Sequence, residues 1–93
     1  MTIREWLVDY CYQRGMFEND ANAVVDAMMA DEANESMNGR WNDKVSDYPR
    51  PLLAVLVLSL NRAAVAHIEK NCPKAWYKPL FDGTADDLAG SEK

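Results

Sequence analysis

The stretch from Pro51 to Lys70 constrains the fold of this chain most, because it is the only long apolar run in the sequence. Its apolar residues recur at helical spacing and form a broad stripe: Leu53, Leu56, Val57, Leu60, Ala64 and Ile68. The run is too long for a typical strand, since the pattern continues through an alanine-rich half without a helix breaker. We therefore predict a long buried helix. Leu52, Val55 and Leu58 add apolar surface on its other sides, and this excess favours a homo-oligomer.

Two shorter helices are predicted before this one. Thr2 and Glu5 have the spacing of a capping box, which predicts a first helix from about Ile3 to Gln13. A second helix is predicted from about residue 21 to residue 36 or 37, with Asn19 or Asp20 as its cap. The expected fold class is therefore all-α, with a compact three-helix domain over residues 1–81 and a flexible acidic tail over residues 82–93.

The segment over residues 38–51 is a long loop for so small a domain. Asn38 and Gly39 form a turn signal, and Pro49 and Pro51 lead into the long helix. Because the loop contains Trp41, which disordered linkers usually lack, we expect it to be ordered against the body. An aromatic segment over residues 75–81 is expected to fold back over the core.

Charge is distributed unevenly along the chain, whose net charge is −5. Residues 1–39 carry two arginines against eight acidic residues, whereas residues 40–78 carry seven basic residues against three acidic ones. Residues 79–93 carry one lysine against four acids. The acidic front and tail repel phosphate, so binding of long DNA or RNA is not expected.

The sequence contains no catalytic signature. Its single histidine, its four dispersed glycines and its two cysteines 61 positions apart exclude the common zinc, phosphate-loop and dinucleotide motifs. A nucleophile pair of Cys72 with His67, five positions earlier, stays open on sequence grounds. We expect a protein that is not an enzyme and has no cofactor. The start of the chain has no signal peptide, and the apolar run from Leu52 to Leu60 is too short to span a membrane, so a cytoplasmic location is expected.

Basic and aromatic residues are interleaved in the middle of the chain. Aromatic rings can stack on bases, and guanidinium groups grip phosphates, so this combination is what nucleotide recognition requires. The candidate ligand-binding residues are Arg40, Trp41, Tyr48, Arg50, Arg62, His67, Lys70 and Trp76. The simpler alternative is that the rings close the core and the cations are solvated.

The acidic segment from Glu18 to Glu35 is the alternative working surface. Asp31, Glu32 and Glu35 lie near the end of the predicted second helix, where they oppose the helix dipole. Acidic residues in this position increase solubility or contact a binding partner. A protein partner with a basic groove is the rival to a nucleotide ligand.

The sequence resembles a set of short, uncharacterised proteins of tailed bacteriophages and prophages. The resemblance is carried by MTIREWL, ENDANAVVDAMMADEANESMNGRW, the YP that precedes the long helix, and NCPKAW. It implies a bacterial cytoplasm as the setting and an anti-defence role as the function. On this basis we expect a protein that sequesters an immune-signalling nucleotide of the cyclic or ADP-ribose type. The alternative that the resemblance implies is a protein–protein inhibitor of a host defence complex, comparable to anti-CRISPR proteins.

Overall fold

The computed structural model describes residues 1–77 and 81. Three α-helices form the body of the molecule: α1 (Ile3–Gln13), α2 (Glu18–Ala30) and α3 (Arg50–Asn71). Two short 3₁₀ helices, Glu32–Met37 and Val45–Asp47, lie between α2 and α3. The described residues form no β-strand, so the predicted all-α fold is confirmed. The predicted tail over residues 82–93 lies outside the described residues.

The start of α1 is held by its own cap and by the loop. The Thr2 hydroxyl accepts a hydrogen bond from the Glu5 amide at 3.1 Å, and the Glu5 carboxylate accepts one from the Thr2 amide at 2.8 Å. This confirms the predicted capping box. These hydrogen bonds also hold the pKa of the Glu5 carboxyl below its usual value. After α1 the chain turns at Gly15, whose φ of +98° is unfavourable for any residue with a side chain.

The second helix differs from its prediction at both ends. It begins at Glu18 after Phe17, whose side chain makes no capping hydrogen bond, so the predicted Asn19 or Asp20 cap is wrong. It ends at Ala30 because Asp31 adopts an extended conformation, and its carboxylate then accepts a hydrogen bond from the Ala33 amide. The acids beyond residue 30 therefore lie on a turn and a 3₁₀ helix instead of a continuous α-helix.

The loop before α3 is ordered, as predicted, because the chain's first residues pair with it. Thr2 and Lys44 form an isolated antiparallel bridge. The amides of Ile3 and Arg4, which have no partner within α1, donate to the carbonyls of residues 43 and 41 at 2.9 and 3.0 Å. The Trp41 side chain is buried in the core. The loop thus closes one end of the helical body.

The core lies on both sides of α2, which packs against α1 and α3. The predicted stripe of α3 is largely confirmed, because five of its members are buried and Leu53 is half-buried: Leu56, Val57, Leu60, Ala64 and Ile68. Tyr77 and Phe81 are also buried against this core, as expected for the aromatic segment. Trp76 is 72% exposed and lies over Gly15, where an added Cβ would come within 2.5 Å of its ring.

One face of α3 remains uncovered. Leu52, Val55 and Leu58 are exposed, and they form what we call the apolar ridge of α3. By length and composition α3 could also cross a membrane, with a third of its most apolar window buried in the fold. The core helix of a soluble protein satisfies the same two criteria, so this observation carries little weight on its own.

Candidate functional site

The aromatic rings of the predicted nucleotide pocket are not brought together. Trp41 is buried beside the start of α1, whereas Trp76 lies beyond the other end of that helix. The eleven residues of α1 span about 16 Å and separate the two rings. Tyr48 is half-buried, and its hydroxyl donates a hydrogen bond to Asp43 at 2.9 Å. That hydrogen bond raises the pKa of the Tyr48 hydroxyl. Of the three predicted rings, Trp41 fills the core and Trp76 is the most exposed.

The predicted cations are spread along α3. Arg50 is its first residue and Lys70 its second-last, so their backbones are about 30 Å apart at 1.5 Å per residue. Arg62 lies between them and is exposed, and Arg40 is exposed in the loop. A single small ligand does not span this distance. The eight predicted residues therefore form no common pocket in the described part of the chain.

His67 and Cys72 each have a different partner, which removes the nucleophile pair left open by the sequence. The two ring nitrogens of His67 lie 2.8 Å from an Asp20 carboxylate oxygen and 3.2 Å from the Asn71 amide nitrogen. The Cys72 sulfur lies 3.6 Å from the Tyr77 hydroxyl. Burial, with a smaller contribution from Cys72, raises the pKa of Tyr77 to about 12. These contacts tie the end of α3 to α2 and to the aromatic segment.

The clearest concave site lies along the second half of α3, and we call it the α3 groove. Its volume is about 440 Å³, within the range of small-molecule sites. Its described lining consists of apolar residues with three polar ones among them: Leu58, Asn61, Arg62, Val65, Ala66, Glu69 and Phe81. Of the predicted ligand-binding residues, only Arg62 lies here. A mostly apolar groove with a few polar groups is the usual composition of a ligand site.

Asn61 is the unusual residue of the α3 groove. Asn61 is 5% exposed, and neither its amide nitrogen nor its amide oxygen has a hydrogen-bond partner among the residues that the structure describes. A buried amide without partners costs about 1–3 kcal/mol relative to one that is paired. Such groups are rare in folded proteins and call for an explanation.

The other buried asparagine shows what a satisfied amide looks like in this fold. Asn34 is 9% exposed, and its amide nitrogen donates to the Met28 carbonyl and to the Ser59 hydroxyl, both at 2.9 Å. The first bond covers a carbonyl near the end of α2, and the second ties the first 3₁₀ helix to α3. Asn34 therefore has a structural role that Asn61 lacks.

Sequence reasoning missed Asn61, although the sequence contains the signal. Asn61 lies four residues after Val57 and three before Ala64, which places it on the buried stripe of α3. A polar residue on an apolar stripe points to a specific interaction. The helical phase of residues 57–64 was therefore sufficient to nominate it.

Arg62 gives the groove a positive end. Its side chain is exposed and forms no ion pair with the residues that the structure describes, whereas the half-buried Arg4 pairs with Asp26 at 2.8 Å. Glu69 lies seven residues further along α3, about 10 Å away, and makes the other end of the groove negative. An anionic group in this groove would therefore be held at the Arg62 end.

The alternative acidic surface is exposed as expected. Asp31, Glu32 and Glu35 are exposed around the end of α2, and no ion pair within residues 1–77 involves them. In the same described segments no cluster of three acidic, histidine or cysteine side chains is arranged to hold a metal ion. The three acids therefore form an exposed, negatively charged surface.

No known protein family, curated protein or solved structure matches this chain. The fold is all-α, and the α3 groove is the concave site that the described residues offer to a ligand.

Proposed function

We propose that this chain is a non-enzymatic binding protein that holds a small anionic ligand in the α3 groove, with nucleotides as the ligand class. The observation that carries the proposal is that the Asn61 amide and the neighbouring Arg62 guanidinium have no hydrogen-bond or ion-pair partner within residues 1–77 and 81. An amide offers a donor and an acceptor side by side, which matches the edge of a nucleobase. Arg62 supplies the bidentate contact that a phosphate prefers.

The apolar lining supports a ligand whose central part is flat and weakly polar, between the groups that contact Asn61 and Arg62. Leu58 and Val65 line the groove on either side of Arg62, and the Phe81 side chain borders it. The amide atoms of Asn61 are closed off from water, so a ligand has to move a neighbouring side chain to reach them. The described lining contains no serine, cysteine, lysine or histidine, so it favours holding a ligand over attacking one.

The test is calorimetric titration of the wild-type protein with mononucleotides, cyclic nucleotides and ADP-ribose. We expect at least one to bind with a dissociation constant below 1 mM. Arg62→Gln should weaken that binding by about tenfold or more, since a charge-assisted hydrogen bond contributes about 1.5–3 kcal/mol. Lys70→Gln is the matched control, because it removes an equal charge from the same helix outside the described lining.

Two results would refute the proposal. The first is that no compound of the panel binds with a dissociation constant below 1 mM. The second is that Lys70→Gln weakens binding as much as Arg62→Gln, because diffuse electrostatic attraction to the basic residues of α3 would then explain the affinity.

The second candidate is binding of a basic protein partner through the acidic surface. It is favoured by the exposure of Asp31, Glu32 and Glu35 and by their lack of described ion-pair partners. Reversal of these three charges should abolish capture of such a partner and leave nucleotide binding unchanged. Arg62→Gln should have the opposite pattern.

The bacteriophage setting and the anti-defence role remain predictions from the sequence resemblance. In that setting a binding protein without catalysis would act by sequestration. The direct measurement is whether the expressed protein lowers the free concentration of a signalling nucleotide in a bacterial cell, with Arg62→Gln as the inactive control.

A further inference from the structure

We infer that the apolar ridge of α3 binds a second copy of this chain, in an antiparallel helix pair related by a two-fold axis at Val55. This interface adds an assembly to the proposed ligand site and does not depend on it. The inference rests on the symmetry of the ridge and on two unpaired charges beyond its ends.

The apolar ridge is symmetric about its middle residue. Val55 is 58% exposed, and Leu52 and Leu58, three residues before and after it, are 44% and 45% exposed. A two-fold interface brings the same surface of both copies together, so it requires such a self-complementary pattern. With an axis at Val55, Leu52 of each copy packs against Leu58 of the other. Helices in this kind of contact cross at roughly 20°.

Charge supports the same register. Arg62 lies seven residues after Val55, about 10 Å along α3. In an antiparallel copy, the position opposite Arg62 is residue 48, and Asp47 directly precedes it at the end of the second 3₁₀ helix. Asp47 and Arg62 are both exposed, and within the described residues neither forms an ion pair. The antiparallel register therefore brings two pairs of unpaired opposite charges together, one at each end of the ridge.

A partner of another kind has less support. Between Arg50 and Arg62 the sequence contains no charged residue, so the ridge offers a heterologous partner charges only beyond its ends. A lipid surface would accept the three apolar side chains, but it would leave Asp47 facing lipid headgroups. The second copy satisfies the ridge and the flanking charges together.

The first test is the mass of the full chain in solution by sedimentation velocity, over a concentration series. We expect a reversible monomer–dimer equilibrium. Val55→Glu should raise the dimer dissociation constant at least about 100-fold, because it buries two like charges at the axis. Ala23→Glu, which adds the same charge to an exposed position of α2, should leave the equilibrium unchanged.

Cross-linking tests the register. In a Cys72→Ser background, Val55→Cys should form a disulfide-linked dimer on mild oxidation, because the two positions meet at the axis. Leu52→Cys alone should not, since the two copies of residue 52 are about 9 Å apart along the axis direction, beyond the usual Cα limit of about 7 Å. Leu52→Cys mixed with Leu58→Cys should cross-link. All three positions are exposed, and circular dichroism of each variant checks that the fold is retained.

A charge swap tests the flanking pairs. Asp47→Arg and Arg62→Asp should each weaken the dimer by about two- to fivefold, and the double variant should restore it, as expected for exposed ion pairs. A monomer at every concentration would overturn the inference. So would cross-linking of Leu52→Cys alone in preference to Val55→Cys. Sedimentation of the protein with lipid vesicles, lost in Val55→Glu, together with a monomer in solution, would assign the ridge to a membrane and also overturn it.

Discussion

Replacing Asn61 by leucine should make the protein more stable, whereas the same replacement at Asn34 should make it less stable. Both asparagines are buried, at 5% and 9% exposure, and both contact the core. They differ in hydrogen bonding, since the Asn34 amide has two partners and the Asn61 amide has none in the part of the chain that the structure describes. The pair therefore isolates the energetic effect of an unsatisfied amide within one fold.

The expected magnitudes follow from these contacts. Asn61→Leu removes an amide whose desolvation is uncompensated, which should add about 1–3 kcal/mol to the free energy of unfolding. Leucine also has the higher helix propensity, which adds about 0.5 kcal/mol. The larger side chain can extend into the adjacent groove of about 440 Å³. Asn34→Leu loses two hydrogen bonds and leaves the Met28 carbonyl without that partner, which should cost about 2–4 kcal/mol.

Urea unfolding followed by circular dichroism measures both effects. The urea midpoint should rise for Asn61→Leu and fall for Asn34→Leu, with an unchanged slope in each case. In a domain of this size a change of 1 kcal/mol shifts the melting temperature by about 4–8 °C. Asn61→Leu should also abolish nucleotide binding in the groove, so its stability and its binding should change in opposite directions.

One outcome would refute this reasoning. If Asn61→Leu destabilises the protein as much as Asn34→Leu, then the Asn61 amide has a partner in solution. The groove would then lose the unsatisfied polar group on which the proposed ligand contact rests, while the dimer interface would stand unaffected.

Further predictions concern the turn after α1, the helix cap, the cysteines and the coupling of the two proposed sites. Gly15→Ala and Gly39→Ala should each reduce stability by about 1–2 kcal/mol, because both glycines have a positive φ. Thermal melts should show the larger loss for Gly15→Ala, because its Cβ also displaces the Trp76 indole ring. Folding lowers the pKa of Glu5, so its capping contribution to stability is present above about pH 4.5 and is lost as pH falls through the folded-state pKa. When the free energy of unfolding is measured at decreasing pH, Glu5→Gln should therefore lose less of it than the wild type. Burial raises the pKa of Cys11 to about 12, so in native protein at pH 8 an alkylating reagent should modify Cys72 first and Cys11 only on unfolding, as mass spectrometry will show. A nucleotide phosphate and the partner's Asp47 would share Arg62, so ligand should weaken the dimer and the dimer should weaken ligand binding by the same factor, as paired sedimentation and calorimetry experiments will measure.

The sequence predicted the helices whose ends are set locally. The cap of α1 lies within residues 2–5, and the stop of α3 is marked by Pro73, so both helices were placed to within a residue or so. The predicted end of α2 was wrong because Asp31 adopts an extended conformation and caps the next 3₁₀ helix through the Ala33 amide. Asn34 then bonds to Ser59, 25 residues later, a contact that no local pattern reveals.

The candidate site was predicted less well, because a list of residue types carries no distances. Arg50 and Lys70 are suitable phosphate ligands individually, but the length of α3 separates them by about 30 Å. Trp41 has an aromatic ring suited to stacking on a base, but this ring is buried in the core. The buried position of Asn61 could be predicted from helical phase alone, whereas its lack of described hydrogen-bond partners is visible only in the structure.

The pairing of Thr2 with Lys44 has a consequence for how the chain assembles during synthesis. The two residues are 42 positions apart, so both α1 and α2 have to be synthesised before the backbone partners of residues 2–4 exist. Closing so long a span carries an entropic cost before any contact compensates for it. The final ordering of residues 41–45 should accordingly be a late event in refolding. It should be detectable as a slow change in Trp41 fluorescence after helical circular dichroism has recovered, in a variant whose other two tryptophans are replaced.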